Sequence, residues 1–171
     1  ANDHEQESMA YYCKGVSYNY KGNQGDALDQ FISSKKIAQK HNLKQLNANA
    51  LNAIGIIYSN LEKHDLSIET IKEAIAAYNA INDGRSLGKC YLGLANDYYN
   101  LNQYDSALSY CRLAMAHSIA YDSKDNEANV YVTMSSVHNA LNNLDSSLVY
   151  GYNAAKYFIA TDNYANSAGI L

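Results

Sequence analysis

Hydrophobic and polar residues follow a helical spacing along almost the whole chain. Between clusters of Asn, Asp and Gly lie segments of about 16–20 residues in which apolar residues recur three and four positions apart, as on one face of an α-helix. The period-two alternation of β-strands is missing, and the absence of proline allows long uninterrupted helices. We therefore predict an all-α fold with helices near residues 7–21, 25–40, 44–61, 65–81, 85–101, 105–121, 125–141 and 145–160, and a ninth beginning near residue 163.

A second pattern, with a period of 40 residues, runs through the chain without a gap. Large residues return at Tyr11, Leu51, Tyr91 and Tyr131, and again at Tyr18, Tyr58, Tyr98 and His138. Small residues return in three columns, which are Gly15, Gly55, Ala95 and Ser135; Ala27, Ser67, Ala107 and Ser147; and Ser34, Ala74, Ala114 and Ala154. Because a lone Gly inside a helix costs about 1 kcal/mol relative to Ala, Gly15 and Gly55 indicate places where two helices cross closely.

The residues that begin and end helices repeat with the same period. We predict that helices begin at the N-caps Asp65, Asp105 and Asp145, because each precedes a run with helical spacing. Gly and Asn tolerate the left-handed conformation that ends a helix, which predicts helix ends at Gly22, Asn102 and Asn142, and at Asn42, Asn82, Asp122 and Asp162. Each 40-residue unit is then a helix A, a tight turn, a helix B and a short loop.

These columns resemble the tetratricopeptide repeat family, in which large, small and aromatic positions recur in a helix pair. The pattern is carried by Tyr91, Ala95, Tyr98, Ala107 and Ala114, and by Tyr11, Gly15, Tyr18, Ala27 and Phe31. The resemblance implies a right-handed α-solenoid of four antiparallel helix pairs plus the start of a fifth, in one domain with repeats at about 8–42, 43–82, 83–122 and 123–162 and a partial repeat at 163–171.

The chain departs from that family in three respects. Its period is 40 residues where the family usually has 34, and it lacks the proline that commonly ends helix B. In the fourth repeat, His138 stands at an aromatic position and Gly151 stands where the first repeat has Phe31, so we expect looser packing there. HEAT and armadillo repeats share a period near 40, and this alternative stays open, although the small-residue columns favour tetratricopeptide repeats.

In this family the A helices line a concave groove that binds partners, and the resemblance therefore implies a set of groove residues. For this chain they include Tyr12, Asn19, Asn49, Asn52, Asn60, Lys89, Asn96, Tyr99, Asn100, Asn129 and Asn139, with Leu92 among the apolar groove positions. An Asn amide both donates to and accepts from a peptide backbone, and Tyr adds apolar area with a polar tip. The lining suits an extended peptide; the alternative is that Asn is simply frequent throughout the chain. Some family members bind a terminal carboxylate through several cations, but only Lys89 and Asn96 match that pattern, so this specificity is not expected here.

Charge and composition argue against several other functions. A formal net charge of −4 disfavours nucleic acid or an anionic membrane as the partner, and no apolar run approaches the roughly 18 residues of a membrane span. The three cysteines form no CxxC pair and the five histidines form no HExxH motif. Nothing in the sequence pairs a nucleophile with a base. We therefore expect no enzyme activity, no metal and no cofactor.

Three roles remain open, all of them based on a protein or peptide partner. The first is an interaction module that binds a peptide or partner segment in the groove. The second is a structural unit that forms homo-oligomers through an exposed C-terminal repeat. The third is a sensory segment, because long repeats without proline resemble those attached to bacterial sensor kinases and transcription regulators. The sequence stops inside the predicted ninth helix, which suggests a fragment of a longer protein, and its low charge with much Asn, Ser and Tyr favours a bacterial extracytoplasmic setting.

Overall fold

The structure, a computed structural model, describes residues 3–160 and confirms the all-α prediction. Within this range there are eight helices and no strand: α1 (Asp3–Tyr20), α2 (Gln24–Lys40), α3 (Lys44–Asn60), α4 (His64–Asn79), α5 (Gly84–Asn100), α6 (Tyr104–Ala120), α7 (Lys124–Ala140) and α8 (Leu144–Ala160). The predicted ninth helix and partial fifth repeat lie outside the described residues. No described helix has both the length and the apolar character that crossing a membrane requires.

The helices pack in consecutive pairs, α1 with α2, α3 with α4, α5 with α6 and α7 with α8. The chain divides into two compact units, Ala1–Asp83 and Gly84–Leu171, and each unit holds two of these pairs. The A helices are α1 and α3 in the first unit and α5 and α7 in the second. The A helices of each unit contact one another, and α2 also packs on α3, as α6 packs on α7.

The residues that end helices recur with the predicted period of 40 residues. A positive φ is found at Gly22, Asn42, Glu62, Asn82, Asn102, Asp122 and Asn142, all between 48° and 78°. The sequence predicts six of these seven residues as helix ends; it does not predict Glu62, because a Glu gives no such signal. Asp162 lies outside the described residues. Residues with a side chain adopt this left-handed backbone conformation only at a cost in free energy. These seven residues set the geometry of the turns that follow α1 to α7.

The prediction that three aspartates are N-caps is wrong by two positions. Asp65, Asp105 and Asp145 lie in the first turns of α4, α6 and α8, each one residue after the helix begins. The caps of α4 and α6 are Lys63 and Gln103, whose side chains form no capping hydrogen bond. Their backbone carbonyls instead accept the first helical bonds, at 3.0 Å each. The aspartates therefore act through their charge at the positive end of the helix.

Two glycines in the first unit mark close helix crossings, as predicted. A Cβ added to Gly15 would lie 2.7 Å from the ring of Phe31, and one added to Gly55 would lie 2.5 Å from Cγ1 of Ile71. At the second crossing the Ser67 hydroxyl donates to the Gly55 carbonyl at 2.9 Å. Any larger side chain in these columns would hold helices A and B of the pair apart.

Each unit has its own apolar core built from the repeat columns. In the first unit the buried cluster is Ala27, Phe31, Ala53, Ile54 and Ile57, and in the second it is Ala95, Cys111, Ala114 and Val130. Two residues of the pair α7/α8 are more exposed than their equivalents in earlier repeats, while the looser packing expected of the fourth repeat stays a prediction. Ser135 is only half-buried, whereas its equivalents in the three earlier repeats are buried, and Leu148 is 72% exposed, against 8% for the equivalent Ile68.

Candidate functional site

The face of helices α1 and α3 contains the predicted groove residues of the first unit. Tyr12 packs on the core, with its ring centroid 5.4 Å from that of Phe31. Burial, and to a smaller extent the neighbouring Cys13, raises the pKa of the Tyr12 hydroxyl. Asn19 and Asn52 are half-buried. Tyr12 is therefore more deeply involved in packing than its place in the predicted groove suggests.

Asn49 is held in place by two neighbours within the first unit. Its Oδ1 accepts hydrogen bonds from Nε2 of Gln45 at 3.1 Å and from the hydroxyl of Tyr78 at 2.9 Å. Gln45 also donates to a carboxylate oxygen of Asp83 at 3.2 Å. In the described part of the chain nothing bonds to Nδ2 of Asn49, so its two N–H donors remain for a ligand.

Asn96 has the corresponding arrangement in the second unit. Its Oδ1 accepts a hydrogen bond at 2.8 Å from the hydroxyl of Thr133, which links α5 to α7. The same hydroxyl lies 3.1 Å from the backbone carbonyl of Asn129. Among residues 3–160, the Nδ2 group of Asn96 is likewise not engaged, so its donors also remain available.

Other predicted groove residues lie near the ends of the A helices. Tyr99 packs against Tyr104, with ring centroids 6.1 Å apart, and the Tyr104 hydroxyl donates to Oδ1 of Asn102 at 2.8 Å. Nearby, a pocket of about 340 Å³ is lined by Asn102, Gln103, Tyr104, Asp105, Ser106 and Leu141. Asn60 and Asn100 are the last residues of α3 and α5, and Asn139 is the next to last of α7; all three are exposed. These residues border the A-helix faces near the turns.

The second unit's face has a cleft between α5 and α7, with a volume of about 450 Å³. We call it the α5/α7 cleft; its lining residues are Arg85, Lys89, Leu92, Ser123, Asp125, Asn126 and Asn129. The sequence predicts Lys89, Leu92 and Asn129 as groove residues. It does not predict the other four, because they lie five to eight positions before the first large residue of their repeat, outside the predicted groove positions. Arg85 lies four residues before Lys89 and so shares its helical face, a signal that was present in the sequence.

Two hydrogen bonds hold the rim of this cleft. The Tyr157 hydroxyl donates to a carboxylate oxygen of Asp125, and this bond is the main reason that the pKa of Tyr157 is raised. Nη2 of Arg85 donates to the backbone carbonyl of Tyr121 at 3.1 Å. These bonds fix the directions of one acidic and one basic side chain at the edge of the cleft.

The described residues offer little chemistry beyond binding. In residues 3–160 no group of three or more His, Cys, Asp or Glu side chains is placed to hold a metal ion. Cys13 is exposed, while Cys90 and Cys111 are buried free thiols. Burial raises the pKa of Cys111 to about 12, so this thiol stays protonated at neutral pH and is a poor nucleophile.

Residues 46–110 match the family described as tetratricopeptide repeat. This part of the chain therefore contains tetratricopeptide repeats. The match runs from α3 into α6 and therefore covers one complete B helix and one complete A helix. No curated protein sequence matches the chain.

Several solved structures have the same fold. A STAND (signal transduction ATPase with numerous domains) protein with a tetratricopeptide repeat sensor, from Pyrococcus horikoshii, is 18% identical with a TM-score of 0.83, over 98% of this chain and 26% of that protein. A Rap protein complexed with Competence and Sporulation Factor is 17% identical with a TM-score of 0.84, over 96% of this chain and 46% of that one. BtubC from P. vanneervenii is 16% identical with a TM-score of 0.80, over 95% of this chain and 67% of that one.

These similarities establish the fold of the repeats. The chain spans about a quarter of the STAND protein and less than half of the Rap protein. Tetratricopeptide repeats generally act as non-catalytic protein–protein interaction modules, and the family match supports that general role for this chain.

Proposed function

We propose that these repeats bind an extended peptide or partner segment along the faces of their A helices. The observation that carries the proposal is the arrangement of Asn49 and Asn96, one in each unit. Each has its carbonyl oxygen engaged by a neighbouring side chain, while no described residue bonds to its N–H₂ group. A fixed amide that offers two donors is suited to a peptide carbonyl, because little side-chain entropy is lost when it binds.

The surroundings of these amides support the same ligand. Tyr12 and Leu92 are half-buried and supply apolar area on the A helices α1 and α5. Asn19, Asn52 and Asn129 add further amides on the A helices. A peptide that is recognised mainly through its backbone is bound by such a repeated series of donors and acceptors, and it does not require one deep pocket.

The test is an alanine exchange at the two amides, measured with blocked peptides. The probe is a library of N-acetylated, C-amidated nonapeptides, and binding is measured by fluorescence polarisation. Asn49→Ala and Asn96→Ala should each weaken binding by roughly three- to tenfold, the effect expected when one hydrogen bond is lost. Asn79→Ala is the matched control, because Asn79 is an exposed Asn on the B helix α4.

Circular dichroism of each variant shows whether the helices are retained. If the two A-helix variants bind as the control does, or if the wild-type chain binds no peptide, the proposal is wrong.

A sensory role would use the same binding. Two of the proteins with this fold are a STAND protein with a tetratricopeptide repeat sensor and a Rap protein complexed with a factor. We propose this role as the second candidate, in which peptide binding is relayed to a further domain. Fusing the repeats to the output domain of a sensor kinase would test it, because a peptide that binds should then change the kinase activity.

Self-association is the third proposal, favoured by exposed apolar residues on α8. Leu144, Leu148 and Tyr152 are 57%, 72% and 66% exposed and share one face of the helix at spacings of four. Sedimentation velocity at increasing protein concentration tests the proposal directly. A rise in mass that Leu148→Ser abolishes would support it, and a constant monomer mass would exclude it.

A further inference from the structure

The α5/α7 cleft differs in charge from the chain as a whole. Two basic side chains, Arg85 and Lys89, and one acidic side chain, Asp125, line it, whereas the chain carries a formal net charge of −4. A concave site with low-dielectric walls strengthens the field of the charges that line it. The cleft is thus a cationic position on an acidic protein.

The acidic member of the cleft is already engaged. A carboxylate oxygen of Asp125 accepts a hydrogen bond from the Tyr157 hydroxyl. Lys89, in contrast, is exposed, and within the described residues it forms no ion pair. The positive charge of Lys89 is therefore the one that a ligand meets without displacing an existing contact.

Two neutral donors beside Lys89 are also available. Ser123 is the N-cap of α7, but its side chain forms no capping hydrogen bond. The side-chain amide of Asn129 forms no hydrogen bond with any residue in the range 3–160. A hydroxyl and an amide can both donate to an anionic oxygen, so the cleft offers three donors of different kinds.

A buried, hydrogen-bonded side chain forms the floor of the cleft. Asn126 is 6% exposed, and its Nδ2 donates to Oγ of Ser118 at 2.6 Å. Ser118 in turn donates to the carbonyl of Ala114 at 2.7 Å. This chain of hydrogen bonds ties α7 to α6 and fixes the cleft, while Leu92 gives it an apolar side.

We propose that the α5/α7 cleft binds an acidic side chain, Asp or Glu, within an extended peptide ligand. Lys89 pairs with the carboxylate, Ser123 and Asn129 donate hydrogen bonds to it, and Leu92 contacts the methylene groups. The proposal rests on the proposed peptide-binding function and names the residue type that the second unit selects. A polyanion such as a nucleic acid is disfavoured, because the net charge of the chain would repel its remaining phosphates.

The experiment compares three sub-libraries of the blocked nonapeptides, whose central residue is fixed as Glu, Gln or Lys. Wild-type protein should bind the Glu peptides about threefold more tightly than the Gln peptides and should bind the Lys peptides least, as expected for a partly exposed ion pair. Lys89→Gln should remove the preference for Glu over Gln. Lys36→Gln is the charge-matched control, because Lys36 is an exposed lysine on the B helix α2.

Two further measurements vary the salt concentration and the C-terminal group of the peptides. Raising NaCl from about 20 mM to about 500 mM should reduce the preference for Glu, because a partly exposed ion pair is screened. Peptides with a central Gln and a free C-terminal carboxylate should gain nothing over their amidated forms.

Each outcome decides the question. An equal affinity for Glu and Gln peptides, with binding still sensitive to Asn96→Ala, would overturn this inference and leave the proposed function standing. Tighter binding of the peptides with a free C-terminal carboxylate would also overturn it. So would a Lys36→Gln variant that loses the preference for Glu over Gln as fully as Lys89→Gln does. The absence of all peptide binding would overturn both proposals.

Discussion

At the scale of single residues, the repeat depends on small side chains where helices A and B meet. Gly15 faces the ring of Phe31 and Gly55 faces Ile71, so each glycine makes room for the large residue opposite. The intrinsic helix propensity of glycine is poor. The packing gained at these two positions outweighs that cost.

We predict that Gly55→Ala destabilises the protein by about 1–2 kcal/mol. Overpacking a core costs about 1–3 kcal/mol, and the better helix propensity of Ala returns at most about 1 kcal/mol of it. Gly25→Ala is the control, since nothing lies within 4 Å of a Cβ at that helical position; it should stabilise by about 0.5 kcal/mol. Urea unfolding followed by circular dichroism measures both, and a stabilising Gly55→Ala would contradict the close crossing.

Residue identities allowed much of this to be predicted. Small, large and turn-forming residues at fixed intervals signal their roles, because a left-handed residue or a close crossing admits few side chains. Tyr12 shows what the pattern cannot give: sequence position assigned it to the groove, whereas its ring also packs on Phe31. Which neighbour a half-buried ring contacts depends on its side-chain rotamer and on the opposite helix, and neither can be read from the spacing.

At the scale of helices, a hydrogen bond between side chains links the two A helices of the second unit. The Thr133 hydroxyl on α7 donates to Asn96 on α5, and Thr133 is 6% exposed. The bond has two consequences, since it links the two helices and orients an amide of the proposed site. The binding face is therefore coupled to the packing beneath it.

We expect Thr133→Val to lower the free energy of unfolding by about 0.5–1.5 kcal/mol, the usual net value of one such bond, and to weaken peptide binding through Asn96. Thr70→Val is the matched control, because the Thr70 hydroxyl bonds to the Leu66 carbonyl within its own helix at 2.7 Å. Chemical denaturation and peptide titration of the two variants provide the comparison. A loss of binding equal in both would show that Asn96 does not depend on Thr133.

Helix existence was easier to predict than helix starts. All eight predicted helices are present, because each apolar stripe persists over several turns. The starts of α4, α6 and α8 were placed too late, since Asp is common both at the N-cap and in the first turn. Arg85 and Asp125 were missed for a related reason, because they lie in the first turns of α5 and α7, before the positions that define the repeat.

At the scale of the whole molecule, the chain is a set of helix pairs in two compact units, each with its own core and its own A-helix face. Both faces carry an oriented Asn amide, and the second also carries the cationic α5/α7 cleft. Each face thus has several modest contact points. Affinity for a ligand would therefore come from the number of positions engaged along an extended segment.

The central claim is that the A-helix amides contact the ligand, and side-chain NMR tests it most directly. Protein labelled with ¹⁵N is titrated with the strongest binder from the Glu-centred blocked peptides, and the Asn side-chain N–H₂ signals are followed. The signals of Asn49, Asn96 and Asn129 should shift as the peptide is added, while that of Asn79 on α4 should stay unchanged. Shifts confined to B-helix residues, with these three amides unmoved at saturation, would contradict the account.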